Sequence, residues 1–323
     1  MNKIEFDRIG VDGLTYTRAK IEKHFKDSFE SKIYNRLGRI VASGSADKMV
    51  IIIKNHLHKL MFASPLQLDY WEKVVDHYRY ILSLTVAVKG KIMTLNDALL
   101  ITFNYDYYRE RKEMLMLAKM LNVKSCPYCN MHYTLYAENK KGEEKYAKFQ
   151  FDHFIDKKTY PMFSMSLYNL IPSCGVCNNS KKNNQLSLSY HPYMSDIYRT
   201  FRFKVKDELD LLYGKSKADT FEIELVPTGD KKEFEDYEKA FHLEALYSRH
   251  KDVVHEVYDK VYLAAYYRND LNFRFLLNGG YDYLKRLWLG TYTDEKDIEK
   301  RPMTKLIHDV EQQALEGLIV EDV

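Results

Sequence analysis

Three short motifs in the stretch from Cys126 to Asn184 govern the interpretation of this chain. They read Cys126-Pro-Tyr-Cys129, Phe151-Asp-His-Phe154 and Ser173-Cys-Gly-Val-Cys-Asn-Asn-Ser-Lys181. All four cysteines of the protein fall in the first and third motifs, each time as a Cys-x-x-Cys pair. The stretch therefore concentrates side chains that bind metals or transfer protons.

The spacing of the cysteines predicts a zinc site. A zinc ion held by four thiolates needs two short chelating loops, and Cys-x-x-Cys has the spacing that each loop requires. Cys126 with Cys129 and Cys174 with Cys177 provide both loops, with no cysteine left over. A redox-active dithiol and four unrelated core cysteines are the alternatives. Because four cysteines fill every position of a tetrahedral site, this zinc ion would be structural.

The polarity pattern in the same stretch predicts two strands followed by a helix. Met131–Glu138 alternates in polarity as a strand does, Asn139–Gly142 is typical of a turn, and Tyr146–Asp152 predicts a second strand. A long loop leads to a short extended segment at Asn169–Pro172. The helix is expected over Val176–Asn184, directly around the last cysteine.

Four side chains in this stretch suit phosphodiester hydrolysis, which needs a base for water and a divalent cation for the developing charge. The imidazole of His153 titrates near neutral pH and is the expected base. The oxygens of Asp152 and Asn178 are hard ligands suited to Mg²⁺. Asn169 is expected to orient the imidazole, through its side chain or its backbone. An isolated Asp-His pair is more often structural, so this interpretation depends on its place between the cysteine pairs.

The succession Cys-x-x-Cys, Asp-His, Asn, Cys-x-x-Cys-Asn-x-x-Lys resembles the HNH endonucleases, which have a ββα-metal fold with a structural zinc. The resemblance covers roughly residues 124–195. It implies that Asp152 and Asn178 bind the catalytic Mg²⁺ or Mn²⁺, that His153 is the general base and that Asn169 holds the loop bearing the histidine. It also implies that Lys181 faces phosphate, with a solvated helix face as the alternative for this lysine.

The surroundings of these motifs are similar to HNH subunits of bacterial anti-phage defence systems, and the Septu type, which pairs with an ATPase, is the nearest in pattern. Together with the large helical flanks, the resemblance implies an endonuclease acting on nucleic acid, with DNA favoured, that is gated by a partner ATPase. The flanks are expected to dock that ATPase or a second copy of the chain in a homo-oligomer. A zinc-containing nucleic-acid- or protein-binding module with an idle hydrolytic site is the alternative.

Composition agrees with a nucleic-acid partner without requiring one. The chain has 323 residues and a net charge of +3, so no strong overall field favours a polyanion. Residues 121–190 carry nine lysines against five acidic residues, a larger surplus than that of the whole chain. The first residues lack the pattern of a signal peptide, and no apolar run is long enough to span a membrane. A cytoplasmic protein is expected.

The predicted fold class is α+β, with a zinc-stapled ββα core flanked by helical regions. Apolar residues at helical spacing predict a helical region over residues 1–122 and another over 230–323. The nuclease core is expected at 123–229, together with a small strand cluster. The strands of that cluster are predicted at Phe201–Val205, Leu209–Tyr213 and Thr220–Val226.

Overall fold

The structure of the protein is a computed structural model that describes residues 3–10, 12–139, 145–181, 184–206, 211, 221–266 and 282–320. The chain forms two compact units. The larger unit consists of Ile4–Val123 and Thr134–Met194, and the other of Met1–Lys3, Lys124–Tyr133 and Ser195–Val323. The units thus divide the chain differently from the three consecutive regions that the sequence predicts.

The N-terminal part of the larger unit is mostly helical, as predicted. Its helices are α1 (Arg18–Leu37), α2 (Gly44–Asn55), α3 (Leu57–Met61), α4 (Pro65–His77), α5 (Leu95–Phe103), α6 (Tyr105–Tyr108) and α7 (Lys112–Leu121). Short strands join them: β1 (Arg8–Ile9), β2 (Thr15–Tyr16), β3 (Ile40–Val41), β4 (Thr85–Val88) and β5 (Lys91–Thr94).

Helix α1 shows why the apolar periodicity predicts this region well. Its apolar side chains at steps of four residues are fully buried, namely Ile21, Phe25, Phe29 and Ile33. Burial of each such side chain stabilises the fold by about 1.5–3 kcal/mol. The Thr17 side chain accepts a hydrogen bond from the amide of Lys20 and thereby caps the first turn. The cap therefore defines where this helix begins, and the apolar residues define which face it buries.

The strands of the central stretch form two antiparallel pairs. β6 (Tyr136–Glu138) pairs with β7 (Lys145–Ala147), and most of the predicted turn between them lies outside the described residues. β8 (Gln150–His153) pairs with β9 (Leu170–Ser173), and α8 (Gly175–Lys181) follows directly. The predicted order of strand, long loop, strand and helix is therefore confirmed for β8, β9 and α8, but the single strand predicted over Tyr146–Asp152 is divided between β7 and β8.

The second unit combines a hairpin with helices. β10 (Phe201–Lys206) and β11 (Glu222–Pro227) are antiparallel, whereas the predicted strand Leu209–Tyr213 lies outside the described residues except for Leu211. Its helices are α9 (Lys231–Phe241), α10 (Leu243–Tyr247), α11 (Lys251–Tyr266), α12 (Asp282–Leu289) and α13 (Thr304–Val320).

Across the described residues the protein combines helices with small antiparallel sheets, which agrees with the predicted α+β class. Within that same part of the chain, no helix is both long enough and apolar enough to cross a membrane.

Candidate active site and metal centre

The four cysteines form one buried cluster, as their spacing predicts. Their sulfur atoms all lie within 4.8 Å of one another. Four thiolates placed tetrahedrally about zinc, with Zn–S bonds of about 2.3 Å, would stand about 3.8 Å apart, so a small inward shift completes the site. Soft thiolate ligands in this number and geometry suit zinc. The cluster could therefore hold a structural metal ion such as zinc.

In each cysteine pair, one sulfur atom accepts a hydrogen bond from a backbone amide. The amide of Met131 donates to Cys129 Sγ at 3.4 Å, and the amide of Cys177 donates to Cys174 Sγ at 3.4 Å. Asn130 has a left-handed backbone with φ of 50°, which asparagine tolerates better than most residues. Donors of this kind stabilise the negative charge of a thiolate and orient it for a metal ion.

Asp152 and His153 lie at the end of β8, where the antiparallel ladder places them opposite Ile171 and Leu170. Both side chains are buried, at 6% and 9% exposure. The edge of the Tyr105 ring contacts the imidazole of His153, with ring centroids 4.4 Å apart and planes at 83°. Strand pairing on one side and Tyr105 on the other therefore restrict the imidazole.

The hydrogen bond of His153 determines which ring nitrogen can act as a base. Its Nε2 lies 3.0 Å from the carbonyl oxygen of Ser164. A carbonyl oxygen only accepts, so Nε2 carries the proton and Nδ1 keeps the lone pair. Burial, together with the positive charges of Lys157 and Lys181, lowers the pKa of His153 to about 3, although the hydrogen bond to Ser164 acts in the opposite direction. The imidazole is therefore neutral at pH 7.

Asn169 acts on the loop after His153 rather than on the imidazole itself. Its Nδ2 donates to the carbonyl oxygens of Ile155 and Phe163, both at 3.0 Å, and its Oδ1 accepts from the amide of Ile155 at 2.7 Å. Its own carbonyl accepts from the amide of Phe154 at 3.1 Å. This fully buried side chain thus ties together both ends of the loop that carries Ser164.

Lys181, which the resemblance implies faces phosphate, lines the cleft that contains His153 but is bonded to the protein. Its side chain is buried, and its ammonium donates to the carbonyl oxygens of His153 at 3.0 Å and Phe154 at 2.8 Å. The same nitrogen lies 3.5 Å from the carboxylate of Asp152. The alternative from the sequence, a lysine on a solvated helix face, is wrong, because this side chain is buried. The contacts of Lys181 are with the strand end that bears the Asp-His pair.

Asn178 and Asp152 line the same cleft as His153, which has a volume of about 1960 Å³. The side-chain amide of Asn178 donates to Oε1 of Gln150, which leaves its Oδ1 outside that bond. Gln150 and Asp152 are two residues apart in β8 and project from the same face of the strand. One carboxylate and one amide oxygen fit Mg²⁺, which keeps several water ligands and needs few from protein.

Some residues of this site have no counterpart in the sequence-based predictions. Tyr105 belongs to a helical region without a recognisable chemical motif, and Ser164 contributes a main-chain carbonyl, so neither has a sequence signal. Gln150 could have been found from its two-residue spacing to Asp152. His191, which we did not assign from sequence, is buried with its ring 4.2 Å from that of Phe154.

Comparison of the chain with protein-family models, with curated proteins and with solved structures finds no match.

Proposed function

We propose that this protein is a metal-dependent HNH endonuclease that hydrolyses phosphodiester bonds of nucleic acid, with DNA favoured. The observation that carries the proposal is the arrangement at the end of β8. There, His153 donates from Nε2 to a loop that Asn169 holds in place, and Asp152 and Asn178 line the same cleft. The residue types at these positions are those that a phosphodiester hydrolase requires.

His153 is the proposed general base. Its neutral imidazole offers the Nδ1 lone pair at pH 7, and fixing of the ring by Ser164 and Tyr105 reduces the entropy lost when a water molecule is aligned. A pKa near 3 makes this nitrogen a weak base in the free protein. The negative charge of a bound phosphodiester would favour the imidazolium form and raise the pKa toward a more effective value.

Asp152 and Asn178 are the proposed ligands of the catalytic cation. When bound, Mg²⁺ or Mn²⁺ supplies positive charge that stabilises the phosphate oxygens and the leaving oxygen. The carboxylate of Asp152 contributes negative charge, and the oxygen of Asn178 contributes a neutral ligand from the first turns of α8. The cysteine cluster has a separate role in this proposal, because a closed four-thiolate zinc site leaves no position for substrate.

The biological setting that we propose is cytoplasmic anti-phage defence, with an ATPase partner or a homo-oligomer that controls the nuclease. This part of the proposal comes from the resemblance of the Cys126–Lys181 motifs to defence nucleases. It is tested by comparing the cleavage rate of the isolated chain with that of the chain bound to an ATPase encoded beside it. Full activity in an isolated monomer would contradict gating.

One observation favours a second candidate function, a zinc-containing binding module without hydrolytic activity. The burial that lowers the pKa of His153 to about 3 also reduces its strength as a base. In a binding module the same neutral histidine would serve as a packed core residue that bonds to Ser164. Such a module would bind nucleic acid or protein but would not cleave with any divalent ion.

The deciding experiment is cleavage of supercoiled plasmid and of single-stranded DNA and RNA by the purified protein, with Mg²⁺ or Mn²⁺ and with EDTA. Cleavage should require the cation and should fall by a factor on the order of 10²–10⁴ in His153→Ala. His77→Ala, which replaces an exposed histidine outside the cleft, is the matched control. Full cleavage by a folded His153→Ala protein would exclude His153 as the base, and binding without cleavage by the parent would favour the second candidate.

A further inference from the structure

Lys181 is a buried lysine whose ammonium is bonded to the protein. Its side chain is 5% exposed, and its Nζ donates to two successive carbonyl oxygens, those of Phe154 at 2.8 Å and His153 at 3.0 Å. The carboxylate of Asp152 forms an ion pair with the same nitrogen at 3.5 Å. An ammonium group has three hydrogens, so two of them are used by the carbonyl oxygens.

Burial of this charge requires the acceptors that surround it. An ammonium removed from water is strongly destabilised unless a counter-charge and hydrogen bonds replace its hydration. Here the counter-charge is Asp152, and the ring of Phe154 adds a favourable face with its centroid 5.1 Å from Nζ. The ammonium of Lys181 is therefore engaged by groups of β8 and of Phe154.

The helix geometry connects Lys181 to the proposed metal ligand Asn178. Residues three apart in a helix lie on the same side, so Asn178 is one turn before Lys181 on the side of α8 that faces β8. The bond of the Asn178 amide to Gln150 agrees with this orientation. Anchoring Lys181 to the end of β8 therefore also sets where Asn178 stands relative to Asp152.

We propose that Lys181 is a positioning residue that fixes α8 against the end of β8, and so holds Asp152 and Asn178 in register, rather than a residue that binds phosphate. The inference rests on the proposed function for its catalytic consequence, and on the contacts of Lys181 for its structural one. Misplacement of reacting groups by as little as 1 Å can cost about a hundredfold in rate. Loss of this anchor should therefore lower turnover while substrate affinity is retained.

Lys181→Met tests the proposal, because methionine keeps an unbranched side chain of similar length and removes the charge. We expect kcat to fall by about tenfold to a hundredfold, with KM unchanged and the salt dependence of nucleic-acid binding unchanged. Lys158→Met is the matched control, since Lys158 is an exposed lysine that lines the same cleft. It should retain kcat. Both variants must keep the circular dichroism spectrum and zinc content of the parent.

The opposite pattern would overturn the proposal. If Lys181 contacted phosphate, Lys181→Met would raise KM, leave kcat unchanged and reduce the slope of log affinity against log salt by about 1. Amide hydrogen exchange gives a readout that is independent of cleavage. Peptides covering α8 should exchange faster in Lys181→Met and not in Lys158→Met, and equal exchange in both would contradict the anchor. If the parent cleaves nothing, the proposed function fails, and hydrogen exchange alone decides the role of Lys181.

Discussion

Asn169 bonds to both main-chain groups of Ile155: its Oδ1 accepts from the amide at 2.7 Å and its Nδ2 donates to the carbonyl oxygen at 3.0 Å. A second bond from Nδ2 reaches Phe163, the residue before Ser164, whose carbonyl oxygen accepts from the His153 ring. A side chain immediately before β9 is thus linked to the imidazole through the loop.

Asn169→Ala should therefore lower both stability and cleavage. It leaves the buried amide and carbonyl of Ile155 without the bonds from Asn169 and removes one of the two bonds to the Phe163 carbonyl, which should reduce the free energy of unfolding by roughly 2–5 kcal/mol. Denaturant unfolding measures this, and plasmid cleavage measures the accompanying loss of rate. Asn184→Ala is the control, because the Asn184 amide donates at the surface to Ser180, and its effect should stay within about 0.5 kcal/mol. Equal stabilities of the two variants would refute the role of Asn169.

Replacement of one cluster cysteine should reduce folding and metal content together. Metal analysis of the purified parent should give about one zinc per chain. Cys174→Ser should lose that zinc and lower the unfolding temperature, because binding of a structural zinc contributes directly to the free energy of folding. His153→Ala, which affects the proposed catalytic site alone, should keep its zinc. A Cys174→Ser protein with the stability of the parent would show that the cluster is not a structural metal site.

Asn178 and Asn179 are adjacent, and the proposed metal role distinguishes them. Both line the cleft, but Asn178 is half-buried and bonds to Gln150 of β8, whereas Asn179 is exposed. Asn178→Ala should raise the Mn²⁺ concentration needed for half-maximal cleavage by about tenfold or more, because one of two protein ligands is removed. Asn179→Ala should stay close to the parent. The reverse order would transfer the ligand role to Asn179.

Two buried histidines should make the protein less stable in mild acid. Burial lowers the pKa of His153 and of His191 to about 3, whereas an unfolded histidine titrates near 6.5. Above pH 6.5 neither state binds these protons. Between pH 6.5 and 3 the unfolded chain binds them and the folded chain does not, so the free energy of unfolding falls as the pH falls. Each histidine contributes up to about 1.4 kcal/mol per pH unit.

Urea unfolding of the parent and of His191→Gln at pH 7.5, 6.5 and 5.5, in excess zinc, measures this dependence. Protonation of the cysteines adds its own acid sensitivity, but it affects both proteins equally and cancels in the difference between them. In the variant, the part of the slope of unfolding free energy against pH that comes from the two histidines should fall by about half. His77→Gln replaces an exposed histidine and should match the parent. Parallel pH profiles for the parent and His191→Gln would contradict a buried neutral His191.

Local patterns account for the parts of the site that the sequence predicts. The Cys-x-x-Cys spacing predicts the cluster because two residues between thiols allow both to reach one ion, whatever the fold that unites the pairs. Alternation in β8 and the helical start after Cys177 are likewise short-range properties, so the order of strand, loop, strand and helix follows from the sequence. The place of Asp152 and His153 at a strand end follows with it.

Tertiary structure decided the environment of these residues. Helix α8 has seven residues, too few for a periodic pattern to show whether Lys181 faces water or protein. Its burial depends on the acceptors at 152–154, and the pKa of His153 depends on burial and on neighbours such as Ser164 and Lys181. The sequence by itself determined which groups carry the proposed chemistry, because spacing is local. Only the folded chain decided what each group contacts and whether it is solvated, because burial and hydrogen bonding arise from non-local packing.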